Sequence, residues 1–473
     1  MRFVTRALIC MVLSSTASVH AAPDFAAIDT YVDAERRAMH IPGLALGIVG
    51  GDGSTHVAGF GDATPDTPFI LGSTSKSFTA LAVMQLVEAD RIALDSPVQR
   101  YLPWFRVADE AASRTITVRH LLNQTSGFST ASGRATLTDF TDTPDALERR
   151  VRALESVALT APVGTTYQYS NCNYQVLGLV VQTVAQEPYE TYLASHILVP
   201  LGMQHSYTSK ELAVANGLAK GHRAWFNRPF VYDEPLPRGS IPQGFIVSTA
   251  SDMTRYLAAH MNGAAILSDA GFAELHRGAA PNGDASYAMG WNSGRIDDMN
   301  AIWHEGDTFS FKSTMAVLTD ARWGVIVLSN MNNAPANLRV DELTFDVARM
   351  LAGHPRRAAH AGDSTWAHTI FAGVVLLQVV GMWRTVSLVR RWRADPASRP
   401  KGWVALLFRV GLPALVNLAC GVVVLVWLPR AVIPLDALLM AVPDLAWPLV
   451  IGAVVAVVWS VARTAWIARS LRT

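Results

Sequence analysis

Ser73-Thr74-Ser75-Lys76 follows Gly72 at a point where the sequence turns helical. Residues three apart share a helix face, so the Ser73 hydroxyl and the Lys76 amine point into one space. An alcohol is a poor nucleophile until a neighbouring base takes its proton. A desolvated lysine can be that base, whereas arginine stays protonated in proteins. The chain carries 39 basic residues, yet its only lysines are Lys76, Lys210, Lys220, Lys312 and Lys401, so a lysine at this spacing is informative. Ser398-Arg399-Pro400-Lys401 repeats the pattern inside a proline-containing loop and reads as a chance match.

Two further clusters could complete such a site. In Tyr169-Ser170-Asn171, a phenol beside an ammonium can shuttle a proton, and the Asn171 amide can donate to substrate or engage Lys76. In His304-Glu305-Gly306, just before the apolar run Phe311–Val317, Gly306 lets a substrate approach a strand edge. The next backbone N–H, that of Asp307, can join the Ser73 N–H as an oxyanion hole. Taken singly, each has a plainer reading: a helix cap, a packed aromatic, a structural histidine.

In this order the three clusters resemble the S-x-x-K, Y-x-N and lysine-or-histidine-x-Gly set of serine beta-lactamases, penicillin-binding proteins and their relatives. The resemblance runs from about Asp24 to Leu351. Thr117–Phe128, Pro162–Thr165, Pro200–Met203, Gly244 with Ser251–Met253, and Tyr287–Trp291 are similar to the class C beta-lactamase, esterase and D-aminopeptidase branch. It implies an α+β fold, an α/β sandwich with an inserted all-helical region. It also implies an acyl-enzyme on Ser73, activated by Lys76 and Tyr169, with Asn171, His304, Gly306 and Asp307 binding substrate or oxyanion. No metal or organic cofactor is implied. His304, beside Glu305 and Asp307, stands where beta-lactamases and transpeptidases usually have lysine; it attracts a substrate carboxylate less and favours an amine or neutral group. Efficient penicillin hydrolysis is therefore not expected. Asn173 stands where relatives often have glycine.

The elements that must position these residues are partly visible. Phe78, Leu81, Met84, Leu86 and Val87 recur at helical spacing after Ser73, predicting a helix with one buried stripe. Leu44–Val49 and Trp323–Leu328 are short apolar runs that read as buried strands near the two ends of the domain, and Phe311–Val317 reads as another. Leu343, Val347, Met350 and Leu351 predict a closing helix.

Around this domain the chain is built for export and anchoring. Residues 1–21 carry Arg2 and Arg6, an apolar core Ala7–Leu13 and a Val19-His20-Ala21 cleavage signal, the pattern of a secretory signal peptide. The hydrolase domain then occupies 22–353 and a linker 354–365. Residues 366–473 form a membrane domain with apolar stretches at about 366–383, 410–428 and 445–462, each near the length that spans a bilayer. The first connecting loop holds Arg384, Arg390, Arg391, Arg393, Arg399 and Lys401 against Asp395, and the tail holds Arg463, Arg469 and Arg472. Positive charge marks the cytoplasmic side, so the C-terminus is cytoplasmic and the catalytic domain lies on the periplasmic or extracellular side of a bacterial inner membrane. The 39 basic residues nearly balance 38 acidic ones, which excludes a nucleic-acid partner. Cys10, Cys172 and Cys420 fall in leader, domain and membrane region, so no disulfide staples the globular part.

An exported hydrolase followed by three spans is similar in architecture to prodrug-activating D-amino-acid peptidases such as the colibactin-maturation peptidase. The expected substrate is a small acylated peptide or ester, attacked by a D-amino-acid-specific peptidase or amidase. An esterase, or a weak beta-lactamase or DD-peptidase, is the alternative within enzymes. A penicillin-binding sensor or transport partner without turnover is the alternative outside them. Oligomeric state is not legible.

Overall fold

The computed structural model describes residues 23–263, 265–334, 337–357 and 365–472. The expected signal peptide at 1–21, Cys10 and most of the expected linker lie outside the described residues.

Eight antiparallel strands make the main sheet: β1 (Gly43–Gly50), β2 (Thr55–Gly61), β3 (Ala280–Asn282), β4 (Ala285–Ala288), β5 (Trp291–Ile296), β6 (Met299–Asp307), β7 (Lys312–Leu318) and β8 (Trp323–Ser329). Their order is β2-β1-β8-β7-β6-β5-β4-β3, so the two apolar runs from opposite ends of the domain pair directly, Leu44 opposite Ser329 and Val49 opposite Gly324. Strand side chains alternate between faces. Leu44, Leu46, Ile48, Val325 and Val327 face a core shared with Ile28 and Val32 of α1 (Phe25–Ala38). Ala45, Val49, Ile326 and Leu328 face the other way, into the larger core. Both faces are covered, which is why these strands read as unbroken apolar runs.

Among the described residues, no strand joins the main sheet between Gly61 and Ala280. This stretch supplies the helical region, whose central members are α2 (Ser75–Glu88) and α3 (Asn171–Ala185), followed by α4 (Ala250–Asn262) against the sheet. The single buried stripe expected for α2 is a correction to make: every residue from Ser75 to Met84 is buried. The helix lies inside the larger core, packed among the other helices, so even Ser75, Ser77 and Thr79 are enclosed and find partners. Ser77 Oγ donates to Thr74 O at 2.8 Å and Thr79 Oγ1 to Pro242 O at 2.6 Å, which removes the cost of burying them. The closing helix α5 (Asn337–Leu351) buries Leu343 and Val347 as its spacing predicts.

Three long helices follow: α6 (Thr365–Ala394), α7 (Trp403–Ala431) and α8 (Pro443–Leu471), with mean hydropathies of 1.6, 2.2 and 2.2 over their most apolar windows. All three are long and apolar enough to cross a membrane. The first runs past the expected end at 383 and carries Arg384, Arg390, Arg391 and Arg393 within the helix rather than in a loop. Cys172 is free and buried, Cys420 free and exposed.

Candidate active site

Ser73 occupies the 3-10 turn Gly72–Thr74 that leads into α2, and Lys76 sits in the first turn of that helix. Lys76 Nζ lies 2.9 Å from Ser73 Oγ and donates to the Gln243 carbonyl at 2.7 Å. The lysine is completely buried, and among the described residues no carboxylate pairs with it. Burial alone holds its pKa well below the ordinary lysine value, so the amine rests closer to its neutral, proton-accepting form. Its nitrogen is 4.8 Å from the Tyr169 ring centre. Tyr169 stands two residues ahead of α3, and Ser73 is among the groups that act on its phenol, pulling its pKa down. Burial keeps the phenol protonated, outweighing the opposite pull of Ser73. The hydroxyl at 73, the amine at 76 and the phenol at 169 therefore converge. Asn171, first residue of α3, makes no hydrogen bond to Lys76, and its Oδ1 is buried without a partner.

The third cluster lies on β6. Gly72 adopts φ +59°, and a methyl group there would overlap the Asp307 amide; one at Gly306 would come 3.0 Å from the Ser73 amide. Two glycines thus let the Ser73 turn and the end of β6 touch, bringing both candidate oxyanion donors to one place. His304 Nδ1 is 2.6 Å from the Glu305 carbonyl, which can only accept, so that nitrogen carries the proton. Nε2 is then the acceptor, 3.3 Å from the Tyr287 hydroxyl. Burial, the largest cause, lowers the His304 pKa to about 3, and the ring is neutral at physiological pH.

The flanking acids are occupied. Glu305 accepts from Trp303 Nε1 at 3.0 Å and Asn292 Nδ2 at 3.3 Å, and burial raises its pKa to about 7. Asp307 lies 3.3 Å from Lys312, which also pairs with Asp341 at 2.8 Å. Lys312 is buried between these acids, so it does not replace the missing cation of the third motif. Among the described residues no group of three His, Cys, Asp or Glu side chains could hold a metal. The second S-x-x-K is no site: Ser398 Oγ donates to the Asp395 carbonyl at 2.7 Å, and Lys401 is exposed beyond it.

Residues 28–349 match the family described as Beta-lactamase, more than half of the 473-residue chain. The chain belongs to the beta-lactamase family. Penicillin-binding protein 4 of Amycolatopsis lactamdurans is 31% identical over 344 residues, covering 68% of this chain and 88% of that protein. Protein flp of Staphylococcus aureus strain MW2 is 26% identical over 333 residues, 68% of this chain, and the match spans only 66% of its own length. Among solved structures, the octameric penicillin-binding protein homologue from Pyrococcus abyssi aligns with a TM-score of 0.63 at 24% identity, over 74% of this chain and 81% of that one. A class C beta-lactamase aligns with a TM-score of 0.58 at 20% identity, over 69% and 94%. At these identities the two structures speak for the fold.

Within this beta-lactamase-family domain, three supporting groups escape sequence reasoning. Gln124, at φ +59°, accepts the Ser170 amide at 2.9 Å and is bonded by the Asn173 side-chain amide. Asn173 also takes a 2.5 Å hydrogen bond from Ser126 Oγ, so the residue standing in place of glycine ties the Tyr169 motif to the Thr117–Phe128 segment. Tyr287 bonds the free His304 Nε2 and lies edge-on to Tyr169, ring centres 6.1 Å apart. Gln243 contributes only its carbonyl, to Lys76. Thr117–Phe128 and Tyr287–Trp291 were visible as family-like segments, but nothing in them marked these atoms.

Proposed function

We propose that the chain is a membrane-anchored serine hydrolase whose catalytic domain lies outside the cytoplasm. Ser73 Oγ attacks an amide or ester carbonyl while Lys76 Nζ takes its proton. Tyr169, protonated at rest, relays a proton to the leaving group, and the Ser73 and Asp307 amides hold the oxyanion. The carbonyl–heteroatom bond breaks, leaving an acyl group on Ser73, and water activated by the same pair releases the acid. The observation that carries this reading is the 2.9 Å contact between Ser73 Oγ and a wholly buried lysine with no carboxylate partner. A lysine ion-paired for stability would be charged and useless as a base.

The neutral His304, with Lys312 sequestered by acids, leaves the third motif without a cation to attract a substrate carboxylate. This favours substrates with a neutral polar or amine-bearing acyl part over penicillins and D-Ala-D-Ala termini. Together with the three apolar helices it supports a D-amino-acid-specific, prodrug-activating type of peptidase. On this reading the helices anchor the domain, and the arginines of α6 and the C-terminal tail support a cytoplasmic location for those ends.

The test is hydrolysis of an activated ester, an N-acyl-D-asparagine peptide, its L-isomer and nitrocefin by the full-length protein. The proposal expects continuous turnover, preference for the D-peptide over nitrocefin, and loss of all turnover in Ser73→Ala. A single burst without turnover would assign a sensor instead, and turnover surviving in Ser73→Ala would remove Ser73 from the mechanism.

A further inference from the structure

The catalytic domain carries an apolar feature that its own core does not use. Strands His222–Trp225 and Arg228–Val231 form a hairpin whose turn residues Phe226 and Asn227 have φ of +49° and +61°. Trp225, Phe226, Phe230 and Val231 are 46%, 52%, 58% and 57% exposed. A hairpin projecting into water would place polar side chains there; four large apolar ones side by side mark a contact surface.

Where the tip sits says what it contacts. The Phe226 N–H donates to Asp444 Oδ2 at 2.9 Å, in the first turn of α8. The same oxygen lies 2.7 Å from His368 Nε2, in the first turn of α6, and the Phe226 ring centre is 4.8 Å from that imidazole. At the hairpin's base, Arg223 Nη1 donates to the Met440 carbonyl at 2.9 Å. The aromatic tip is thus pinned level with the points where two apolar helices begin, beside Trp366, which is 61% exposed. Aromatic side chains concentrate at this depth, where an apolar ring meets the acyl boundary and a polar neighbour stays wet.

We propose that this hairpin is a second membrane contact: its tip lies in the headgroup and upper acyl region of the leaflet facing the catalytic domain. The proposal rests on the reading that the three helices span the bilayer. Its consequence for the site is positional. Asn332, paired with Arg223 at the hairpin's base, donates to the carbonyl of Thr308, the residue after Asp307. Lipid contact at the tip therefore fixes the height and tilt of the oxyanion strand above the membrane surface.

The experiment labels single cysteines with bimane in the full-length chain carrying Cys10→Ser and Cys420→Ser, Cys172 being buried. Nanodiscs with and without lipid bearing a nitroxide near the headgroup end of its acyl chain report contact. Label positions are Trp225→Cys and Arg228→Cys, the exposed pair flanking the hairpin's turn, and Ile370→Cys near the start of α6. Ser54→Cys, in the turn between β1 and β2, is the control at the sheet end away from the hairpin. The proposal expects about a twofold or greater loss of fluorescence at 225, 228 and 370, the depth at which interfacial side chains lie, and no loss at 54. Quenching at 370 with none at 225 and 228 would overturn the proposal while leaving the anchor intact. Absence of quenching at all four positions would overturn the anchor, and the proposal with it.

Discussion

Replacing Gly306 with alanine should silence the site while leaving the domain folded. The added Cβ would overlap the Leu71 carbonyl and Ser313 Oγ and come 3.0 Å from the Ser73 amide nitrogen. None of these can retreat cheaply. The Leu71 backbone is held by its amide on Ile246 O at 2.9 Å, and Ser313 Oγ by its 2.6 Å bond to Leu71 O. The strain falls on the contact between β6 and the Gly72–Thr74 turn, where the Ser73 and Asp307 amides meet. Forcing one methyl into a close-packed contact costs about 1–3 kcal/mol of stability. Misplacing one oxyanion donor costs about 100- to 1,000-fold in kcat, or about 2.7–4 kcal/mol of transition-state stabilisation. A small activated ester, which gains little binding energy from the cleft, should show the loss almost wholly in kcat with KM nearly unchanged. Stopped-flow acylation beside a melting curve reads both quantities. Gly373→Ala, with nothing within 4 Å of the new carbon, is the control. A Gly306→Ala protein that melts cooperatively and acylates at the wild-type rate would refute the assignment of these two amides as the oxyanion hole.

Two other perturbations separate the parts of the account. Lys76→Arg puts a permanent cation beside Ser73 in place of the neutral base, because guanidinium does not deprotonate; acylation should fall about 100- to 10,000-fold, measured by fluorophosphonate labelling rate, and an unchanged rate would exclude Lys76 as the base. Glu305→Gln should alter the pH dependence of stability. The folded pKa, raised to about 7 from 4.5, means that the folded chain keeps a proton the unfolded chain has released between those values. Stability from this group is present below about 4.5 and is lost as pH rises through about 7. Glutamine mimics the protonated form throughout, so the variant should gain melting temperature relative to wild type at pH 8 but not at pH 4.5; an equal shift at both would show that Glu305 does not titrate there.

The parts of the fold legible in the sequence were those with local period. Ser73 and Lys76 could be paired from helix spacing alone, and α5 from its three- and four-residue repeat. β1 and β8 showed as apolar runs because they are buried on both faces. The expected stripe on α2 failed for a related reason: Phe78, Leu81 and Met84 form a pattern, but the polar residues between them are buried too. Burial of serine and threonine is decided by partners such as the Pro242 carbonyl, distant in the chain. Non-local atoms were invisible throughout. The Gln243 carbonyl on Lys76 is 167 residues away and belongs to the backbone, which carries no side-chain signature. Gln124 and Asn173 meet across 49 residues, and Tyr287 reaches His304 across a strand turn. The acids around His304 were readable as neighbours, yet strand alternation turns Glu305 and Asp307 toward Asn292 and Lys312. That fixed the histidine as a neutral group only once the coordinates supplied its partners.

The most direct measurement is peptide mapping by mass spectrometry after the full-length protein reacts with a fluorophosphonate. A nucleophilic Ser73 predicts one adduct per chain, on the peptide containing residue 73, absent from Ser73→Ala, and slowed in Lys76→Arg to the same extent as ester hydrolysis. An adduct on another residue, or unchanged labelling of Ser73→Ala, would contradict it.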